Sequence, residues 1–266
     1  MKLRVYKKIF NNYFSQELQN KVDIAGYLVV MFIYLLSALL FWNAIYNDNS
    51  MIAGYGREDM VLYYTLVGMV AYSMSMSTTD EISKKIKYGK LSQELIKPYE
   101  IINVEFLRVL ANRLYNVSVF FIVFVAVLVV MVFRGWISIN LAGLIKAIPI
   151  LLLGFLIKYY IMYFIGLFAF WLNEVWFLNH IRRIVINFFS GIFFPIVLFP
   201  FWLQYGLQFL PFRYLFPLPM QYINSEITNQ QLPLDIFIGI AWCIILGGLC
   251  QFTYKLGIKK YEAFGN

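Results

Sequence analysis

The sequence predicts an all-α, polytopic membrane protein. It has six membrane-spanning helices, an N-terminal amphipathic interfacial helix, and a re-entrant helical hairpin between the fifth and sixth spans. Three observations predict this. Of the 266 residues, 61% are hydrophobic and only 14% charged, with a mean hydropathy of +0.70. An ordinary soluble domain is nearer half apolar and a quarter charged, so too little polar residue is left here to cover a water-soluble particle. The apolar residues also gather in runs long enough to cross a bilayer. Finally, the basic residues are unevenly divided between the segments that join those runs.

Residues 1–22 are polar and basic but carry a stripe at helical spacing: Leu3, Tyr6, Phe10, Tyr13, Phe14 and Leu18. Lys2, Arg4, Lys7, Lys8 and Lys21 border it. A basic amphipathic helix of this kind lies in the membrane interface, the alternative being an ordinary packed helix with one solvated face. The expected spans are 24–46, 60–79, 114–133, 141–172, 184–200 and 236–254. Polar loops fall at 47–59 and 134–140, and a long charged segment occupies 80–113. The fourth run contains Pro149 and Lys158 and reads as one tilted or kinked span.

Six spans put both ends of the chain on one side. If that side is cytoplasmic, the inner segments hold five basic residues at the N-terminus, seven in 80–113, Arg182 and Arg183, and three in the tail. The outer segments hold only Arg57, Arg134 and Arg213. This bias predicts cytoplasmic termini in a cell membrane. The net charge of +8 is accordingly read as juxtamembrane Lys and Arg meeting anionic headgroups rather than nucleic acid. Cys243 and Cys250 are seven apart, about 10 Å of helical rise and beyond disulfide reach, so both read as packing residues. The first apolar run ends in Phe41-Trp42, without the small residues of a signal-cleavage site.

Five of the eight prolines (Pro195, Pro200, Pro211, Pro217 and Pro219) crowd into one stretch. Proline interrupts helical hydrogen bonding, and unpaired backbone cannot face lipid. Residues 201–210 and 214–222 are nevertheless too apolar for a free loop and too short to span. Two short helices that dip into the outer leaflet and turn back satisfy both constraints; two helices lying flat in the interface are the alternative.

The residues here resemble a known family. Ser190–Gln204 reads SGIFFPIVLFPFWLQ and Phe209–Tyr222 reads FLPFRYLFPLPMQY. Both are similar to the signature of the permease subunits of type-2 ABC exporters: a small-residue pair, FP, FP and WL, then LPF, an aromatic and a proline. Lys87–Ile101, KYGKLSQELIKPYEI, resembles the family's cytoplasmic loop, in which a glycine precedes a short amphipathic helix and Lys-Pro. The order of parts agrees over nearly the whole chain.

The resemblance implies a transmembrane subunit that pairs with a second copy or a paralogue. It also implies separate cytoplasmic ABC ATPase subunits, which use ATP and Mg and dock on Gly89, Lys90, Leu91, Glu94, Leu95, Ile96, Lys97 and Pro98. Residues 201–222 would act as the outer gate, with Pro200, Trp202, Leu203, Leu210, Pro211, Phe212, Tyr214 and Pro219 as its residues. The apolar, aromatic outer region suits a hydrophobic or amphipathic cargo (lipid, hydrophobic peptide or drug), small ions being the alternative.

The residues themselves say that this chain does not hydrolyse ATP and is not by itself an enzyme. Hydrolysis needs a Gly-rich phosphate loop with Lys and Ser/Thr. The one Gly-Lys pair, Gly89-Lys90, has no glycine five residues earlier and is followed by Leu91. Leu91, Leu95 and Ile96 form the apolar edge of a short helix that Pro98 stops, bordered by Lys90, Glu94 and Lys97. Such an edge suits a groove on a soluble partner or the underside of the protein's own bundle. Glu105 and Arg108 stand at the three-residue spacing of a helical ion pair.

Lys158 is a charge within an apolar span, costing about 2.5–3.5 kcal/mol on insertion scales. It is therefore a translocation-path candidate, the alternative being a side chain that snorkels outward. His180 lacks the partner ligands a metal site requires, so no metal and no cofactor bound by this chain is expected. A membrane-embedded lipid-modifying enzyme and a non-pumping immunity or assembly protein are the alternative functions. The enzyme needs clustered acid, base or metal-ligating groups, and the sequence presents none.

Overall fold

The computed structural model describes residues 2–19, 21–46, 51–52, 56–133, 141–172, 175–223 and 229–261. Among them all extended regular structure is helical. The eleven α-helices are α1 (Lys2–Glu17), α2 (Lys21–Ile45), α3 (Arg57–Ser73), α4 (Thr78–Lys87), α5 (Leu91–Leu95), α6 (Ile101–Phe133), α7 (Leu141–Leu167), α8 (Trp176–Phe189), α9 (Phe201–Leu207), α10 (Pro217–Ile223) and α11 (Leu232–Ile258). Short 3-10 turns lie at Phe168–Phe170, Ile196–Leu198, Pro211–Tyr214 and Asn229–Gln231. The expected loop at 134–140, and most of the one at 47–59, lie outside the described residues.

Two helices among the described residues are long and apolar enough to cross a membrane: α7 with its 3-10 extension, Leu141–Phe170, and α11. Helix α7 runs unbroken through Pro149. Helix α11 starts with Pro233 in its first turn and carries Asp235 there, the residue types that suit a helix N-terminus.

Three expectations need correction. Residues 184–200 do not form one continuous helix. Helix α8 starts at Trp176 and stops at Phe189, and its 14 residues are about 21 Å long against the ~30 Å of a hydrocarbon core. Gly191 follows at φ +78°, a left-handed conformation that turns the chain, and Pro195 precedes the 3-10 turn. Hydropathy continues across this point although the helix does not.

Second, the run 60–79 is divided: α3 ends at Ser73 and α4 begins at Thr78. Ser73, Ser75 and Ser77 are hydroxyl residues that compete for backbone groups and favour helix ends. Third, the charged segment 80–113 holds more helix than the one short helix expected in it. It comprises α4, α5 and the first turns of α6, whose 33 residues extend about 50 Å.

Helix α7 is the central post. It packs against α11, α4 and α10, and the 3-10 turn at Pro211–Tyr214 also rests on it. One core cluster joins it to α4, α5 and α6 through Ile82, Leu91, Val109, Tyr159 and Tyr163. A second joins it to α10 and α11 through Ile150, Ile157, Leu218, Tyr222 and Leu246. Helix α1 lies along α6, with Phe14 edge-on to Tyr115 at 6.5 Å. Helix α2 meets α3 around Trp42, Tyr46, Met60 and Tyr64.

The close approach of the Pro211–Tyr214 turn to α7 depends on Gly154. A Cβ there would lie 2.2 Å from the Tyr214 carbonyl oxygen, and backbone cannot give way as a flexible side chain can. Gly154→Ala is therefore expected to lower stability by about 1–3 kcal/mol through overpacking. Gly248→Ala on α11, where nothing lies within 4 Å of the added carbon, is expected to be neutral or stabilising by about 0.5–1 kcal/mol. Thermal unfolding of the detergent-solubilised protein compares the two; equal melting temperatures would contradict the packing described.

Candidate functional site

Two sites emerge from the sequence candidates, one at each end of α7. The first is built on α4, α5 and α6. Glu81 and Lys85 sit one turn apart on α4, Glu94 on α5, and Glu105 and Arg108 one turn apart on α6. Glu105 is fully buried and shared: Lys85 donates to it and to Glu94, and Arg108 pairs with it at 2.8 Å. Arg108 also reaches Glu81 at 2.9 Å. The ion pair expected between Glu105 and Arg108 is thus one edge of a five-residue network that fastens three helices.

Burial works against the Lys85 ammonium, but the adjacent Glu105 and Glu94 carboxylates outweigh it and hold its pKa above the ordinary 10.5. The Arg108 guanidinium is likewise pushed up: burial opposes its charge, and Glu105 and Glu81 more than compensate. Tyr13 of α1 lies within the field of this network, and its pKa is raised chiefly by burial.

This network is the base for the segment 89–98. Gly89 adopts φ +70°, letting the chain turn between α4 and α5. The Ser92 backbone N–H donates to the Tyr261 hydroxyl at 3.3 Å, and the Ser92 hydroxyl lies 3.1 Å from the same oxygen, so the C-terminal end holds α5 in place. The Tyr6 hydroxyl of α1 accepts from the Glu100 N–H at 3.4 Å.

The expected apolar edge is split. Leu91 is only 2% exposed and packs into the core with Ile86 and Ile101, so it is unavailable to a partner. Leu95 is 42% and Ile96 86% exposed, and Lys90, Lys97 and Pro98 are exposed beside them. The reason is geometric: α5 is a single five-residue turn, and its first residue faces inward. Behind Leu95, a cleft of 380 Å³ opens between this segment, α7 and α11, lined by Glu94, Tyr99, Tyr163, Tyr254 and Lys255 among others.

The second site is the proline-rich segment at the other end of α7. Its two halves differ. Pro200, Trp202 (72%) and Leu210 are exposed, and Leu203 and Phe212 half-buried. Pro211, Tyr214 and Pro219 are buried, together with most of α10. Asp235 of α11 anchors the buried half. Its carbonyl accepts from the Tyr214 hydroxyl at 2.6 Å, its carboxylate accepts from the Tyr222 hydroxyl at 2.8 Å, and Arg213 pairs with it at 3.3 Å.

The broken backbone is served by side chains. Tyr63 donates to the Gly191 carbonyl and Tyr64 to that of Phe193, both at 2.6 Å. Gln204 donates to the Val197 and Phe199 carbonyls, and Trp242 to that of Phe209. Sequence reasoning passed over Asp235, Tyr63 and Tyr64. The available signal was an acid inside the first turn of the last apolar helix, and a tyrosine pair in the second.

Lys158 belongs to neither site. It is 9% exposed. His180 stacks on Trp176, with ring centroids 4.3 Å apart. Among the described residues no set of three His, Cys, Asp or Glu gathers as a metal site.

Removing the shared carboxylate leaves two cations facing each other. Glu105→Ala is expected to cost about 3 kcal/mol, and Glu81→Ala at the rim about 1 kcal/mol or less, as read from unfolding in detergent. Because the folded pKa of Lys85 is raised, its contribution is full below about pH 10.5 and is lost as pH rises through the folded value. The melting temperature should therefore fall more steeply on the alkaline side in the wild type than in Lys85→Met. Identical profiles would remove Lys85 from the network.

No curated protein and no solved structure matches this chain. A family model described as ABC-2 family transporter protein matches residues 32–265. That match takes in α3 to α11, both sites and most of α2, so the chain belongs to the ABC-2 transporter family and is a membrane protein of the permease type.

Proposed function

We propose that this chain is the transmembrane subunit of an ATP-driven exporter, spanning a cell membrane six times with both termini in the cytoplasm. Two such subunits, identical or paralogous, pack together and form the path for a hydrophobic or amphipathic cargo. Separate cytoplasmic ATPase subunits supply the work from ATP and Mg. They dock on Gly89–Pro98 with help from α1. The proline-rich segment forms a re-entrant hairpin that acts as the outer gate.

The observation that supports docking most is the exposed pair Leu95 and Ile96 on a charged, buried base. An apolar knob left in water suits a groove on a soluble partner. The base matters as much as the knob, because a push on a loosely held turn would be absorbed locally. Here the push reaches α4 and α6 through the Lys85–Glu105–Arg108 ties and α11 through Ser92 and Tyr261. Helix α4 packs on α7, and α7 carries the hairpin at its other end. The nucleotide does work only if its closed ATPase state favours one arrangement of these helices over another.

Ile96→Asp and Leu95→Asp place a charge on the knob without entering the core. Each is expected to reduce the stimulated ATPase activity of the co-purifying subunit at least tenfold, with membrane insertion and melting temperature unchanged. Undiminished stimulation in both variants would refute docking at this segment.

A further inference from the structure

The cleft behind Leu95 is used neither by the exposed knob nor by the hairpin. Its volume of 380 Å³ falls in the range of small-ligand pockets. One wall is the stretch 94–102, with Glu94, Tyr99 and Glu100; a second is α11, with Tyr254 and Lys255. Tyr163 of α7 belongs to the lining although it is only 1% exposed, so the cleft reaches into the bundle. Glu100 and Lys255 are exposed at its mouth.

The charges of the lining are divided between the walls. Both acids stand on the first and the cation, Lys255, on the second. Glu94 is paired with Lys85, and Glu100 accepts from the Asn103 amide at 2.9 Å on one of its oxygens. Lys97 lies outside the lining, with its ammonium 5.7 Å from the centre of the Tyr99 ring. Among the described residues no ion pair joins Lys255 to either acid, so the cleft holds opposite charges apart instead of closing on them. Its depth in the membrane follows from α11, which carries no charged residue between Asp235 and Lys255. That interval is about 30 Å of helix, the thickness of a hydrocarbon core. With α11 crossing the bilayer, Lys255 and the mouth of the cleft stand at headgroup level.

We infer that this cleft binds a zwitterion made of an ammonium and a phosphate, as in the headgroup of an ethanolamine phospholipid. The ammonium meets the Glu100 carboxylate, with Glu94 adding to the negative field and the tyrosine rings adding cation–π attraction. The phosphate meets Lys255. An anion without the ammonium would face two carboxylates, and a neutral amphiphile would match neither wall, so the cleft discriminates by charge pattern. An occupant ties the stretch 94–102 to α11. The site stands on the cleft alone and does not require the export reading.

The test uses the full-length chain in detergent, with a phosphatidylethanolamine labelled on its acyl chain by a fluorophore as probe. Unlabelled phosphatidylethanolamine should displace the probe, phosphatidylglycerol should do so about tenfold less well, and diacylglycerol should not. Glu100→Gln and Lys255→Met should each weaken binding about tenfold, the loss of one charge-assisted contact. Both side chains are exposed, so the melting temperature should not change. Free phosphoethanolamine distinguishes the source: displacement by it assigns the cleft to a soluble zwitterion, and its failure assigns the cleft to a lipid headgroup.

Unchanged affinity in either variant, or equal displacement by phosphatidylglycerol, overturns the site, because both charges are required. The preference of the wild type for phosphatidylethanolamine over phosphatidylglycerol needs no variant and decides alone if one fails to fold. No ATPase subunit enters the measurement, so its failure leaves the export reading untouched, and a failure of that reading leaves the site.

Discussion

The structure depends on one constraint: backbone groups freed by proline and glycine cannot be left unpaired among apolar side chains. Nowhere is this sharper than after Phe189, where a helix ends, the chain turns at Gly191 and five prolines follow within 30 residues. Several of the carbonyls there have a named side-chain donor. Tyr63 and Tyr64 serve the turn, Gln204 serves the 3-10 segment, and Trp242 closes the far end of α9. Tyr214 and Tyr222 then converge on Asp235. The aromatic richness of the chain is therefore partly a supply of hydroxyl and indole donors on bodies that remain apolar. These side chains make the irregular backbone tolerable.

The segment packed on the other end of α7 is held by charge. Helix α5 is too short to hold itself by its own hydrogen bonds. The shared Glu105 carboxylate does this by meeting Lys85 and Arg108 from two helices at once. Leu91 adds an apolar anchor from within the same turn. Leu91 and Leu95 share a helical face, but the helix ends at Leu95, which is therefore only half covered, and Ile96 beyond it is exposed.

Much of the architecture was legible in the sequence, and the failures have physical causes. The long helices α7 and α11 and the stripe of α1 follow from hydropathy and period alone. The end of α8 does not, because apolar residues continue past Gly191 and hydropathy does not register backbone direction. The division at Met74–Ser77 was hidden for the same reason, although the serines marked it. In the coupling segment, residue type correctly suggested an amphipathic turn but could not say which face was already taken, so Leu91 was grouped with the exposed residues. Asp235 escaped notice because an acid near a helix start reads as solvated. Only the fold shows two tyrosines and Arg213 brought to it.

The placement of both sites on a single helix has a mechanical consequence. Helix α7 holds α4 near Gly166, where Thr79 and Ile82 press against it, and the hairpin backbone near Gly154 and Gly143. The hairpin side is seated by backbone against backbone, without a cushioning side chain. A rod clasped in this way has little slack, so it transmits twist and axial shift better than it absorbs them. The breaks in helical hydrogen bonding flank this rod, at Met74–Ser77 and around Gly191, so bending costs least there.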